Sequence, residues 1–381
     1  MQILTLNTGS SSLKAGLYWK ESGALLSKLH ASVSGLGTDQ AKLKITSKTS
    51  EHTEQFGSDL SSDQILSLAL DLILSHIDQN ERLCFSHRVV HGGDLFSASR
   101  VIDEATVKAL EGLIPLAPLH QPHNLHLIDL VKQKFPEIPS VACFDTMFHA
   151  QQDDLQTSYA LPKSVRDMKV RRYGFHGLSY EYIAQTLALE KDPNSRNLVL
   201  HLGAGASACA MLGARSIASS MGFSAADGLP MSTRTGQIDP GVLLFLLARG
   251  WSAEQLEQLI YRESGWLGLS GISSDMKTLI ASNTEDAQFA IEHFCYHVAL
   301  EVGRLTSALG GLDQLVFTGG VGAHSPEIRQ RIAERLSWLG VQIADNSSDR
   351  LISRDNSSVR VFAIETDEEL ILAQHALKLV G

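Results

Sequence analysis

Near the start of the chain the apolar and polar positions alternate, and the pattern then folds back on itself. Residues 3–6 are apolar or β-branched, residues 7–12 are small and polar, and Leu13, Ala15 and Leu17 recur at every second position. Period-two patterning on both sides of a Gly/Ser turn predicts a β-hairpin rather than a strand running into a helix. Residues 32–63 are polar and rich in Ser, Thr, Gly and Lys, which predicts edge strands and loops with one short pair around Leu43 and Ile45. Ile65, Leu68, Ala69, Leu72 and Ile73 fall at helical spacing, with Ser62 and Asp63 as candidate caps. Strands follow at 83–90 and 138–144, and between them Pro118 and Pro122 predict a loop.

The second half begins the same way. After an amphipathic helix at 179–189 comes N-L-V-L-H-L-G-A-G-A-S-A-C-A-M-L at 197–212, a second strand, turn and strand. Laid over the first, 198–200 matches 4–6, His201 falls on Asn7 and Gly203 on Gly9. A repeat separated by about half the chain predicts a duplicated domain, with the two turns gripping one polyphosphate across a cleft. Residues 221–241 have little periodic apolar signal and are dense in Gly, Pro and Asp, and a loop of this length is usually functional. Helices are predicted at 242–248, 253–262 and 286–309. Residues 315–322, L-V-F-T-G-G-V-G, predict a strand and a glycine turn before a helix opened by Ser325 and Pro326. A last strand at 359–364 runs into a helix with Thr366 as cap and Glu369 at its third position.

With 381 residues the chain is read as two domains. It is 44% hydrophobic and 19% charged with a formal net charge of −10, and its acids and bases are interspersed, which disfavours a nucleic-acid partner. An anionic substrate must therefore meet locally placed cations. Cys84, Cys143, Cys209 and Cys295 lack C-x-x-C or zinc spacing and sit in apolar runs, as reduced core cysteines do. No basic leader or apolar run near 18 residues is present, so a cytoplasmic protein without a membrane partner is expected.

Candidate chemistry gathers at the turns. Gly9 lets backbone approach a ligand, Asn7, Ser10 and Ser12 offer polar groups, and Lys14 emerges opposite Leu13 and Ala15, a set that suits phosphate. It is not a P-loop, which needs a second glycine beside the lysine and a following helix. Arg88 lies in an apolar run before Gly92 and Gly93, as a ligand-facing residue or as an arginine snorkelling from an edge strand. Asp145 follows a buried strand, as a site residue or a helix cap. His120, His123 and His126 are spaced by three, but the prolines argue against one metal-binding face. Arg171, Arg172 and His176 surround two glycines, and Arg234 between two threonines is placed to reach a ligand.

Taken together these stretches resemble the acetate kinase family, within the superfamily of sugar kinases, heat-shock chaperones and actin. The resemblance runs in order through N-T-G-S-S-S-L-K, H-R-V-V-H-G-G, A-P-L-H, F-D-T-M-F-H, R-R-Y-G-F-H-G, H-L-G-A-G-A-S, G-L-P-M-S-T-R-T-G, F-T-G-G-V-G and T-D-E-E-L. It implies an α/β fold of two duplicated ribonuclease-H-like (actin-like ATPase) lobes with a central nucleotide cleft. The first lobe would comprise 1–147 with 367–381, and the second 148–366. It also implies a homodimer and reversible transfer of the ATP γ-phosphoryl to acetate or another short carboxylic acid, with Mg²⁺, or Mn²⁺ in its place. Asn7 and Glu368 would hold the metal, with Ser10, Ser12 and Lys14 near the phosphates. Arg88 would bind the carboxylate, and Val90, Leu119 and Phe175 would form the apolar pocket. His176 and Arg234 would stabilise the transferring phosphoryl, with His120 assisting and Asp145 completing the site. ATP would meet His201, Leu202, Gly203, Ala204 and Gly205, then Asp275, Met276 and Lys277, and also Gly320, Val321, Gly322, Ala323 and His324.

The chain departs from the family pattern at several of these positions. Ala204 stands where asparagine is usual, Lys277 where arginine is, and Ala323-His324 where Glu-Asn is common, which loosens base recognition. Ala225 replaces a frequent proline beside the acyl pocket and keeps propionate as a second acid. Readings from other classes are a non-catalytic ATP-binding regulatory module of the same superfamily and a histidine metalloenzyme on His120, His123 and His126. The presence of Arg88, His176 and Arg234 argues against the first of these.

Overall fold

The computed structural model describes residues 1–9, 11–21, 23–78, 80–344 and 350–381, so the expectation for Ser10 lies outside the described residues. The chain forms two compact units, Met1–Met147 with Asp367–Gly381, and Phe148–Thr366.

The first unit holds β1 (Gln2–Thr8), β2 (Ser12–Glu21), β3 (Ala24–Ser34), β4 (Lys42–Ser47), β5 (Glu51–Gln55), β6 (Leu83–Val89), β7 (Arg100–Val101) and β8 (Ser140–Phe144). They lie in the order β5-β4-β3-β2-β1-β6-β8-β7. The predicted hairpin is β1 against β2, with Leu6 opposite Ala15 and Asn7 opposite Lys14. β6 runs parallel to β1 and β8 parallel to β6. Leu13, Ala15 and Leu17 join Leu4, Leu6, Leu43 and Ile45 in a core closed by Ile65, Ala69 and Ile73 of the helix Ser62–Leu74. The helix Glu368–Val380 packs against β1, β6 and β8 and buries Ile371, Leu372, Ala373 and Ala376, so the central strands are covered on both faces.

The second unit holds β9 (Arg196–Leu202), β10 (Ala206–Leu212), β11 (Arg215–Ser219), β12 (Gln314–Thr318) and β13 (Arg360–Ala363), ordered β11-β10-β9-β12-β13. β9 and β10 form the second hairpin, β12 is parallel to β9 and β13 parallel to β12. This is the same antiparallel, antiparallel, parallel, parallel succession as β3-β2-β1-β6-β8, so the two halves repeat one topology. Tyr180 and Ile183 of the helix Gly177–Thr186 pack on Val199, Cys209, Met211 and Val316. The 25-residue helix Glu285–Leu309 packs against β9, β10 and β11. All four cysteines are buried free thiols. Among the described residues no helix is long and apolar enough to cross a membrane.

Several local expectations are corrected. Ser61, not Ser62 or Asp63, caps the helix at Ser62, because only there can the Gln64 side chain return to the cap backbone. Pro122 lies in the first turn of the helix Gln121–Lys134 rather than in a loop, a position whose missing N–H costs nothing. Residues 319–324 form a short helix, entered through Gly319 at φ +75°, and not a glycine turn. Asp367 rather than Thr366 caps the last helix, accepting from the Leu370 N–H at 2.8 Å. Asn7 belongs to the end of β1 rather than to the turn.

One glycine is required by packing. A Cβ on Gly16 of β2 would lie 2.7 Å from the Tyr18 ring, 2.8 Å from Glu369 Oε2 and 3.1 Å from Thr5 Oγ1. The bare strand there admits the last helix and lets Thr5 Oγ1 accept from Gly16 N–H at 3.0 Å.

Two histidines of this unit are neutral by construction. His87 is buried and, among the described residues, finds no hydrogen-bond partner for either ring nitrogen, and burial pushes it down to about 3. His91 Nδ1 accepts from Gly93 N–H at 2.9 Å, and burial, partly opposed by Asp94, pushes it down to about 4. Both lie below the unfolded value of 6.5, so between 6.5 and those values the unfolded chain binds more protons and stability falls as pH falls. Each should cost about 1.4 kcal/mol per pH unit in that window. Urea unfolding at pH 7 and pH 5 should show the loss, and His87→Leu should reduce it by about 2 kcal/mol. An unchanged pH slope in that variant would refute the assignment.

Candidate active site

In the first unit, parallel pairing sets Arg88 of β6 beside the end of β8, where the chain delivers Asp145. Arg88 Nε donates to Asp145 Oδ1 at 2.9 Å and Nη2 donates to Oδ2, a two-point fork, while Nη1 donates to Asn7 Oδ1 at 3.0 Å. The Asp145 side chain is only 3% exposed, so its charge depends on this partner. Burial acts to lower the Arg88 pKa, but Asp145 and Glu368 outweigh it and the guanidinium is held above its ordinary value. Glu368, in the first turn of the last helix, moves the other way. Burial pushes its carboxyl up, Arg88 and Lys14 oppose this, and Asp145 adds to it. Lys14 is exposed and stands opposite Asn7 in the first hairpin, and Ser12 opens that strand.

Asn124, which sequence reasoning passed over, ties this end of the sheet together. It is buried, its Oδ1 accepts from Val90 N–H at 3.0 Å and its Nδ2 donates to Thr8 O at 3.3 Å. A lone asparagine in a helix carries no pattern that would reveal this. Val90 is buried, Leu119 half-buried, and His120 is the residue before the helix Gln121–Lys134. His126 lies on the helix surface and bonds to Asp63 at 2.7 Å. Among the described residues no group of three or more His, Cys, Asp or Glu is gathered to hold a metal. Asn7 and Glu368 are two oxygen donors, which suits Mg²⁺ taken together with phosphate oxygens and water.

In the second unit the groups converge on the turn between β9 and β10. Gly203 N–H donates to Gly205 O at 3.0 Å, and Ala204 O accepts from Ser232 N–H at 3.1 Å. A Cβ on Gly205 would lie 3.4 Å from His176 Nε2 and 3.8 Å from Arg234 Nη1; one on Gly203 would lie 3.8 Å from both Gly320 N and His201 Nε2. His176, His201, Arg234 and Gly320, four expected site residues, thus surround a turn with almost no side chains. His176 occupies the left-handed region at φ +58°, an uncommon conformation for a side-chain-bearing residue that costs of order 1–3 kcal/mol. His149 helps impose it, bonding through Nε2 to Phe175 O at 3.0 Å and through Nδ1 to Ser216 at 2.8 Å.

The loop carrying Arg234 is held by backbone bonds. Ser264 N–H donates to Thr233 O, Trp266 N–H to Met231 O and Leu267 N–H to Ser232 O, at 2.9 to 3.0 Å. Arg234 Nη1 donates to Ala225 O at 3.0 Å. Arg172 pairs with Asp227 at 3.0 Å over the Tyr159 ring. Phe175, Leu202 and Met276 are buried. Asp275 caps the helix Met276–Ile280 by accepting from Lys277 N–H at 3.1 Å. Gly320, Val321, Gly322, Ala323 and His324 lie in the short helix after β12, and His324 approaches Glu365 at 3.5 Å.

The Arg88 cluster makes an asymmetric prediction. Arg88→Met leaves a buried carboxylate without its cation and should cost about 3–5 kcal/mol. Asp145→Asn keeps the shape and should cost less, about 1–3 kcal/mol. Denaturant midpoints of the two variants check this, and the reverse order would show that Arg88 does not neutralise the site.

Comparison with known proteins agrees along the whole chain. The Acetokinase family model matches residues 2–374. Acetate kinase of Rhodopseudomonas palustris is 43% identical over 99% of this chain and 98% of its own, and that of Rickettsia felis is 41% identical over 99% of each. Among solved structures, a propionate kinase from Francisella tularensis superposes with a TM-score of 0.93 at 33% identity, covering 100% of both chains. Acetate kinase of Porphyromonas gingivalis gives 0.86 at 32%, again over 100% of both. The α/β sheets with duplicated topology are thus the actin-like ATPase fold these kinases share. The chain belongs to the acetokinase family.

Proposed function

We propose that the protein transfers the γ-phosphoryl of ATP reversibly to acetate, giving acetyl phosphate and ADP. The observation that carries this reading is the convergence of His176, Arg234 and His201 on the Gly203–Gly205 turn. Phosphoryl transfer asks for positioning and positive charge around the equatorial oxygens, and backbone N–H groups with an arginine and an imidazole supply both. A carboxylate oxygen attacks the γ-phosphorus as the bond to the β–γ bridging oxygen breaks and ADP leaves. The acid, with an ordinary pKa near 4, is already ionised at neutral pH, so no general base is needed.

The same requirement assigns Asp145 and Arg88. Asp145, forked onto Arg88, orients the guanidinium rather than removing a proton. Arg88 spends three of the five N–H groups of a guanidinium on Asp145 and Asn7, leaving two for a substrate carboxylate. Mg²⁺, or Mn²⁺, held through Asn7 and Glu368 would neutralise polyphosphate charge. Val90, Leu119 and Phe175 are assigned to the acyl group. Lys14, Ser10 and Ser12, with Gly320 to His324 and Asp275 to Lys277, are assigned to the nucleotide. A cytoplasmic setting suits an ATP-consuming reaction and four free thiols.

Propionate is the second substrate, supported by the small Ala225 side chain and the likeness to a propionate kinase. One methylene discriminates by about 1–3 kcal/mol, too little to exclude either acid. Mg-ATP with acetate, propionate or butyrate at equal concentration, trapped with hydroxylamine, should yield acyl hydroxamate from the first two and less from butyrate. No product from any of them, with ATP bound, would overturn the reading.

A homodimer is part of the same proposal. The helix Pro240–Ala248, P-G-V-L-L-F-L-L-A, buries none of its residues, and Leu244 is 66% exposed. Phe289, Tyr296 and Leu300 form a second exposed stripe at helical spacing on Glu285–Leu309. A second copy covering these faces would account for them. Light scattering should show a dimer that Leu244→Glu with Phe245→Glu converts to monomers, and an unchanged mass would place the interface elsewhere.

A further inference from the structure

Two imidazoles of the second unit are pinned by hydroxyls in a reciprocal arrangement. His176, which precedes the helix Gly177–Thr186, bonds through Nδ1 to Ser207 of β10 at 2.8 Å. His201 of β9 bonds through Nδ1 to Ser179 of that helix, also at 2.8 Å. The rings stack with centroids 4.3 Å apart and planes 18° from parallel. With both Nδ1 atoms engaged, both Nε2 atoms are turned to the glycine turn, 3.4 Å from a Cβ at Gly205 for His176 and 3.8 Å from one at Gly203 for His201.

One clamp has a further member. The Ser207 hydroxyl also bonds to the Tyr180 phenol, and both residues are fully buried. A phenol, with a pKa of about 10, is a stronger donor than an aliphatic hydroxyl. With Tyr180 as the donor to Ser207, the single Ser207 proton goes to His176 Nδ1. A ring nitrogen that accepts a hydrogen bond carries no proton, so the proton of the neutral ring sits on Nε2.

We propose that Tyr180 and Ser207 are positioning residues that hold His176 in its Nε2–H form, with that proton directed at the Gly203–Gly205 turn. Only the kinetic part of this inference rests on the phosphotransferase reading. Without the relay, Nδ1 and Nε2 compete for the proton, and part of the population presents a lone pair to an oxygen it should stabilise.

Nitrogen-15 histidine NMR of the full-length protein tests this, with His176→Gln used to assign the signal. The wild type should carry its ring proton on Nε2. Ser207→Ala should populate both tautomers, and Ser207→Thr should restore the first. In the hydroxamate assay kcat of Ser207→Ala should fall about tenfold with KM for ATP within about twofold, part of the roughly 10²–10³ that loss of a whole donor costs. Tyr180→Phe keeps the ring and removes only the hydroxyl, so it carries the test if Ser207→Ala does not fold. A wild-type proton on Nδ1, or a tautomer unchanged in Ser207→Ala and Tyr180→Phe, would overturn the relay whatever the rate. Absence of acyl phosphate from the wild type would overturn the kinase reading and leave the NMR result to decide the relay.

Discussion

A half-buried guanidinium sets the conditions for the first unit. Arg88 lies within β6, an interior strand flanked by β1 and β8, where a charge is tolerated only among matching groups. Each match comes from a different element: Asn7 from the end of β1, Asp145 from just beyond β8, Glu368 from the last helix. The parallel order of β1, β6 and β8 brings the first two to the same end of the sheet, because parallel strands finish together. The last helix must dock against β1 and β6 to bring the third, and Gly16 leaves the room it needs. Sheet order, helix docking and one missing side chain therefore serve a single electrostatic requirement.

The second unit repeats the scaffold with different chemistry. Where Asn7 faces Lys14 across the first hairpin, His201 faces Ser207 across the second. The first pair offers a carboxamide and a cation, and the second an imidazole and a hydroxyl. Duplication preserved the strand directions and the small-residue turn, while the positions at the strand ends took separate tasks. The left-handed His176 fits this division. Its strain is sustained by His149 and by the packed helix behind it, and the ring is aimed by neighbours rather than by its own backbone preference.

Much of the fold was legible because its signals are periodic. Both hairpins, the buried strands 83–90 and 138–144 and the helix 286–309 follow from alternation or helical spacing, and the repeat exposed the duplication. What failed was local competition between equivalent residues. Ser61, Ser62 and Asp63 can all cap a helix, and only the reach of Gln64 decides among them. Thr366 and Asp367 pose the same choice, and the G-G-V-G stretch reads as a turn until Gly319 admits the chain into a helix. The site residues carried in motifs were visible, yet their supports were not. Asn124, Ser207 and Tyr180 are single polar groups whose partners lie 27 to 116 positions away, and no spacing rule reaches that far.

The return of residues 367–381 to the first unit bears on the order in which the protein can be made. Strands β1, β6 and β8 leave the ribosome early, with Arg88 and Asp145 already able to pair, but Glu368 emerges only after the whole second unit has been synthesised. Until then the face of the sheet that the last helix will cover, including Ser86, whose hydroxyl finally donates to Leu372 O at 2.8 Å, stays open to water. Domains generally fold as units during synthesis. Here the N-terminal unit stays an incomplete body until residues 367–381 are made, although its strands are the first to be synthesised.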